Sequence, residues 1–275
     1  MKYSIITVNF NNKAGLSKTL ESILSQSCKD YELIVIDGGS TDGSKDLLEA
    51  HRDHIDYWVS EPDKGIYNGM NKGIQKARGE FINFMNSGDT FYDKTTLQQV
   101  TEQMDGSDIL VGSDYNVDPK TGASAMTVLP LRVSMATFFV QTFPHQSSFI
   151  RRSLFDNCLY DEQLRIVADW KFFLDKVVYE NCSVKLLHMP VSLREQDGIS
   201  NTQSERTTEE RTEVLTQLLP PGIYKDYASL AQLDRSTLYK LLNLCELPKA
   251  RKLLTLVIKI LNRLLSSERQ DTAQK

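Results

Sequence analysis

The run Glu32-Leu33-Ile34-Val35-Ile36-Asp37-Gly38-Gly39-Ser40-Thr41-Asp42 decides the fold. Its first half is apolar and branched, with no polar alternation, the pattern of a strand buried on both faces. Its second half breaks into an acid, two glycines and a Ser-Thr-Asp cluster, a turn that opens a helix reaching Ala50 with Leu47 and Leu48 inward. The same unit recurs on either side. Upstream, Tyr3–Asn9 reads as a strand, and Leu16, Leu20, Ile23 and Leu24 follow at helical spacing. Downstream come a strand at Ile55–Val59, a helix at Tyr67–Arg78 stopped by Gly79, and a strand at Glu80–Met85 ending in Asn86-Ser87-Gly88-Asp89. A helix at Thr95–Met104 and a strand at Ile109–Val111 complete the series. This alternation predicts an α/β fold with a mainly parallel sheet flanked by helices. Ligands of such sheets bind beyond the carboxyl ends of the strands, which singles out Asp37, the loop Glu61–Gly65, and Asp89.

The middle of the chain is less regular. Asp114–Leu129 reads as a hairpin around Asp118-Pro119-Lys120-Thr121-Gly122, and Gln146–Ile150 as a strand. Ala168–Val178 has the spacing of a helix with Trp170, Phe173, Leu174 and Val177 apolar. Ser183–Leu193 reads as a strand interrupted by Pro190, followed by a polar loop at Gln196–Asn201. Past residue 205 only helix signals remain. The expected division is an α/β unit over 1–205 and a helical extension over 206–275.

With 275 residues, 40% hydrophobic and 25% charged, the chain is long and apolar enough for a real core. The net charge of -4 gives no basic footprint for nucleic acid. Cys28, Cys158, Cys182 and Cys245 are scattered, which suits a reducing compartment rather than a disulfide framework or zinc cage. The opening residues lack the long apolar run of a signal peptide, and no 18-residue uncharged apolar stretch exists, so the expected location is cytoplasmic. The charge is uneven: residues 249–275 carry seven basic and two acidic residues, a net +5 that leaves -9 on the other 248. Leu253, Leu254, Leu256, Val257, Ile258, Ile260, Leu261, Leu264 and Leu265 form a broad apolar surface there, with Lys249, Arg251, Lys252, Lys259 and Arg263 beside it. Such a helix suits an anionic membrane surface through 249–266, and equally suits packing on its own catalytic unit or on a second copy of the chain as a homo-oligomer.

Several common motifs are missing, among them G-x-G-x-x-G after the first strand, the phosphate-binding G-x-x-x-x-G-K-[ST], the G-x-S-x-G elbow and H-E-x-x-H. What remains is a set of acids at strand ends and one at a helix start. Asp37 suits hydrogen bonds from a nucleobase or ribose, and equally suits a helix cap or turn. Asp89 suits a divalent cation bridging a diphosphate, and equally a polar turn. Asp169 suits a general base, and equally a favourable charge at a helix N-terminus. Glu61-Pro62-Asp63-Lys64-Gly65-Ile66-Tyr67 runs into a helix whose first turns carry Asn68, Asn71 and Lys72, a setting that attracts anions or serves as a solvated loop.

Taken together, four segments resemble the family 2 glycosyltransferases of the GT-A fold, in particular bacterial enzymes of capsule, exopolysaccharide and O-antigen assembly. They are Ser4–Asn11, Glu32–Ser44, Glu61–Gly73 and Ala77–Asp89, whose order and spacing are far more specific than any one of them. The likeness continues more weakly through Pro144-His145-Gln146 and Ala168-Asp169-Trp170 to Asp197-Gly198-Ile199-Ser200. The resemblance implies an inverting transfer from a nucleotide-sugar donor, UDP-linked, to a hydroxyl of a glycan or lipid-linked glycan. It implies Mg²⁺ or Mn²⁺ as cofactor and work at the cytoplasmic face of the inner membrane. It places Thr7 and Asn9 along the nucleotide, Asp37 on the base, Asp63, Lys64 and Asn71 near ribose and base, Asp89 on the metal, and Asp169 as catalytic base. His145 and Gln146 would line the acceptor side, and the loop with Gly198 and Ser200 would fold over the donor. One departure stands out: Asn86 and Gly88 replace the acids usual before Asp89, leaving one carboxylate for the metal. Two rival readings are a nucleotidyltransferase, which would carry a Gly-rich basic loop where Asn9-Phe10-Asn11-Asn12-Lys13 stands, and a non-catalytic nucleotide-sugar-binding module.

Overall fold

A computed structural model describes residues 1–117, 122, 124–195, 204–231 and 235–272. Four parallel strands carry the first half: β1 (Tyr3–Asn9), β2 (Tyr31–Asp37), β3 (Tyr57–Ser60) and β4 (Phe81–Phe84), in the order β3-β2-β1-β4. β1 is buried along its whole length between β2 and β4, which is why its sequence shows no polar alternation. Helices α1 (Lys13–Leu24), α2 (Ser44–Ala50) and α3 (Ile66–Lys76) make the crossovers. α1 starts where the Asn12 side chain accepts a bond from the Gly15 N–H at 3.0 Å. Its Leu16, Leu20 and Ile23 meet Tyr3, Ile5, Leu33 and Val35 from alternate positions of β1 and β2. α3 covers the opposite face. It comes close to β1 because Gly69 and Gly73 lack side chains: a Cβ on Gly73 would lie 2.5 Å from Ile6 Cγ2, and one on Gly69 2.9 Å from Val8 Cγ1.

The second half adds β5 (Thr90–Phe91), α4 (Thr96–Glu102), β6 (Ile109–Val117), β7 (Ser124–Met126), α5 (Met135–Val140), β8 (Ser148–Arg151), α6 (Ala168–Leu174) and β9 (Val184–Glu195). The sheet runs on as β4-β8-β6-β9-β5, with β8 antiparallel to β4 and β6, and β9 parallel to β6. The result is a mixed α/β sheet whose parallel part is the expected one. Three details differ from the sequence reading. β9 continues through Pro190, because its pairing with β6 slips at Ser113 and Pro190 and the ladder there needs no N–H. The helix at 168 keeps α geometry only to Leu174 and widens into a π turn over Asp175–Tyr179. The strand read from Gln146 starts at Ser148, after a single 3₁₀ turn over His145–Ser147.

The chain divides into two compact units. The first comprises residues 1–129 and 142–219, including α7 (Ser204–Leu218), and the second 130–141 and 220–275. Within the second lie α5, α8 (Pro221–Ala231), α9 (Arg235–Glu246) and α10 (Pro248–Thr272). There the Phe139 ring stacks on Tyr227 at 5.3 Å, and Arg132 meets Glu246 at 3.6 Å. The loop residues Gly198 and Ser200, and the hairpin tip at 118–121, lie outside the described residues.

Candidate active site

The carboxyl ends of the parallel strands gather the polar residues that the apolar strand bodies exclude. Asp37, last in β2 and buried, is the hub. Its Oδ1 accepts from Asn9 Nδ2 at 2.7 Å and Ser40 Oγ at 2.5 Å, and its Oδ2 from Ser60 Oγ at 2.6 Å and the Ser40 N–H at 3.0 Å. Burial acts to raise this carboxyl, but the bonds from Ser40, Ser60 and Asn9 outweigh it and hold it below the ordinary range. The carboxylate thus ties together the ends of β1, β2 and β3. Beside it, Thr7 Oγ1 and Asn9 Oδ1 are buried atoms without a hydrogen-bond partner among the described residues. Phe10, next in sequence, is 65% exposed, and its ring edge lies against Gly38. Asp63 lies against the same glycine and is bonded by Lys72 at 2.5 Å, while Lys72 also meets Glu61 at 2.7 Å.

A second group surrounds Asp169, which α6 presents from its first turn with little exposure. Asp169 Oδ1 accepts from Tyr67 Oη at 2.8 Å and the Trp170 N–H at 2.9 Å. Its Oδ2 lies 3.0 Å from His145 Nδ1, and His145 Nε2 lies 3.3 Å from Asn86 Nδ2. The single phenolic proton of Tyr67 is shared, because Oη also lies 2.7 Å from the Ile166 carbonyl. Burial pushes the Tyr67 phenol well above its ordinary value, so it stays a donor. Burial pushes the Asp169 carboxyl up as well, yet the bonds from His145, Tyr67 and the Trp170 N–H bring it below the usual aspartate range. The group is an ionised carboxylate with three donors and one oxygen lone pair left over. Tyr67 and Ile166 also line a cavity of about 230 Å³, together with Lys64, Glu162, Arg165 and Arg206.

Other residues singled out in the sequence are placed differently. Asn71 is turned away from the strand ends. Its Nδ2 donates to the Tyr160 carbonyl and Glu162 Oε1, both at 2.9 Å, and its Oδ1 accepts from the Tyr160 N–H at 3.0 Å. The Lys64 side chain is exposed, and only its N–H is engaged, by Asn68 Oδ1 at 3.3 Å. Gln146 is buried, with its carbonyl accepting from Asn83 Nδ2 at 3.0 Å. Asp89 is half-buried, and its backbone is held by Asn86 and Thr19. Among the described residues no three His, Cys, Asp or Glu side chains converge as a metal cage. The Asn86 amide is already spent on Val8 and His145. A single carboxylate such as Asp89 fits a hard cation that takes its remaining oxygens from phosphate and water. Tyr67 and Asn86 stand inside the resembling segments without an assigned role and Ser60 stands outside them; Ser60 and Tyr67 are marked by the buried carboxylate each serves, and Asn86 by His145.

A model of the family described as glycosyl transferase family 2 matches residues 4–159. A PGL/p-HBAD biosynthesis glycosyltransferase of Mycobacterium tuberculosis is 29% identical over 226 residues, covering 78% of this chain and 86% of the relative. S. aureus TarS 1-349 in complex with UDP-GlcNAc has a TM-score of 0.64 at 20% identity, over 82% of this chain and 70% of that one. The chain spans 42% of another S. aureus TarS chain. The mannosyltransferase PcManGT of Pyrobaculum calidifontis, in complex with GDP-Man and Mn²⁺, has a TM-score of 0.59 at 17% identity, over 97% of this chain and 79% of that one.

Proposed function

The chain belongs to glycosyl transferase family 2, and from that premise we propose that it is an inverting enzyme which moves a sugar from a UDP-sugar to a hydroxyl of a surface glycan, with Asp169 as the base. The observation that carries this reading is the buried, ionised Asp169, held by His145, Tyr67 and the Trp170 N–H with one lone pair left over. The acceptor hydroxyl attacks the anomeric carbon in line, the bond to the diphosphate breaks, and the hydroxyl proton passes to Asp169 Oδ2. No covalent nucleophile is needed. The base of the donor would lie on the exposed Phe10 ring, with the orphaned Thr7 Oγ1 and Asn9 Oδ1 below it. Asp37 would act mostly by holding that floor rigid, since four donors already engage it. The Asp63–Lys72 pair borders the same floor, and Lys64 is the exposed cation beside it. Asp89 would hold Mg²⁺ or Mn²⁺ carried in with the diphosphate, and the cation would neutralise the leaving group. One structural neighbour in complex with UDP-GlcNAc, and another with GDP-Man and Mn²⁺, support a nucleotide-sugar donor and a divalent cation separately.

The test is UDP release with a panel of UDP-sugars. Asp169→Asn should lower kcat by about 10²–10⁴-fold while UDP affinity stays unchanged. Wild-type turnover in that variant would remove Asp169 as the base.

A further inference from the structure

The geometry points to Asn86 and His145 as joint positioning residues for Asp169: the Asn86 amide fixes the His145 ring in the tautomer whose Nδ1–H holds the carboxylate. This rests on Asp169 being the base, and it explains the amide that stands where an acid is usual.

The orientation of Asn86 follows from its neighbours. β4 stops at Phe84, so the Val8 N–H of β1 has no strand carbonyl opposite it and bonds Asn86 Oδ1 instead, at 3.3 Å. A backbone N–H can only donate, so that amide atom is the oxygen. Nδ2 is therefore the atom 3.3 Å from His145 Nε2. The Asn86 backbone is pinned as well, because the Asp89 N–H bonds its carbonyl at 2.9 Å and the Ser87 N–H bonds the Val8 carbonyl at 3.1 Å.

An amide hydrogen aimed at Nε2 needs a lone pair there. The single ring proton of the neutral imidazole then sits on Nδ1, 3.0 Å from Asp169 Oδ2. The surrounding charges do not set this state. Burial lowers the imidazole's affinity for a second proton and Arg194 opposes it, while Asp169 and Asp89 favour it and prevail. The amide is thus the group that keeps Nε2 bare. An aspartate at position 86 would accept from Nε2–H and convert His145 into a cation between two carboxylates. Asp169 would then be a partner of a full ion pair and a poorer proton acceptor. With Asn86, it faces a neutral donor that orients Oδ2 and leaves it basic. Tyr67, on Oδ1, fixes the other half of the carboxylate.

The experiment has a substrate-free arm and a kinetic arm. In the full chain labelled with ¹⁵N-histidine, His145 should show a protonated Nδ1 and a bare Nε2 near pH 7.5, and Asn86→Asp should protonate Nε2. A wild-type ring protonated on Nε2 alone, or an Asn86→Asp ring unchanged, would overturn the assignment. In the kinetic arm, UDP-sugar hydrolysis is compared for two amide replacements. Asparagine places its N–H where Nδ1 stands and glutamine where Nε2 stands. His145→Asn should stay within about tenfold of wild-type kcat, and His145→Gln should lose about 10²-fold, with KM for the donor unchanged in both. Equal losses in the two variants, or a change confined to KM, would overturn the positioning role. If instead Asp169→Asn retained turnover, the base reading itself would fall while the tautomer result stood.

Discussion

Asp37 shows how a single carboxylate couples the site to the stability of the fold. Its four donors come from β1, β3 and the turn after β2, so losing the carboxylate leaves buried hydroxyl and amide hydrogens unmatched. Asp37→Ala should cost roughly 1–3 kcal/mol in urea unfolding at neutral pH. The pH dependence has a definite sign. The folded carboxyl is depressed, so the unfolded chain binds more protons in acid. The stability it contributes is full above about pH 5 and is lost as pH falls through the folded value. Measured stability should therefore fall less between about pH 5 and pH 3 in Asp37→Asn than in the wild type, and an identical slope would contradict the hub. At this scale the sequence was legible where a residue closes an apolar strand, as Asp37 does. It was not legible where a role depends on partners far away in the chain. His145 and Asp169 are 24 residues apart and Asn86 is 59 from His145, so no spacing could announce that they meet. Asn71 stood in a matching motif, yet its amide serves residues 160–162.

At the scale of elements, α3 sets how near the site lies to the sheet. Its two glycines bring Tyr67 to Asp169 by letting the helix axis sink toward Ile6 and Val8. Gly73→Ala should destabilise the protein by about 1–3 kcal/mol through overpacking, even though alanine is the better helix former. A raised urea midpoint would show that the close approach is not needed. The parallel strands were readable from sequence because both faces are buried and the runs are apolar. β9 was harder to read because a proline inside a strand normally argues against pairing, and only the slipped register with β6 accommodates it. The helix at 168 was read four residues too long, since the apolar spacing persists through Val178 while the backbone widens.

At the scale of the whole molecule, the second unit carries the apolar, basic helix that the charge asymmetry announced. No helix among the described residues is long and apolar enough to cross a membrane. Along α10, Leu253 is 63% exposed, Leu256 54% and Ile260 50%. We propose that this face lies on an anionic lipid surface. The full chain should cosediment with vesicles containing anionic lipid and be released by high salt, and Leu256→Glu with Ile260→Glu should abolish the cosedimentation. Equal binding on neutral vesicles would remove the role of anionic charge, and no binding to either would argue for a protein partner instead. The second unit is also built from two separate stretches, with 130–141 matched by helices that begin at Pro221. That arrangement places a delay in the life of the chain. On a ribosome adding about 5–20 residues per second, the segment bearing Phe139 emerges roughly 4–18 s before Tyr224 and Tyr227 exist to receive it. During that interval an aromatic segment of a half-made enzyme waits uncovered, so slowing translation between codons 141 and 220 would lengthen its exposure to chaperones and aggregation.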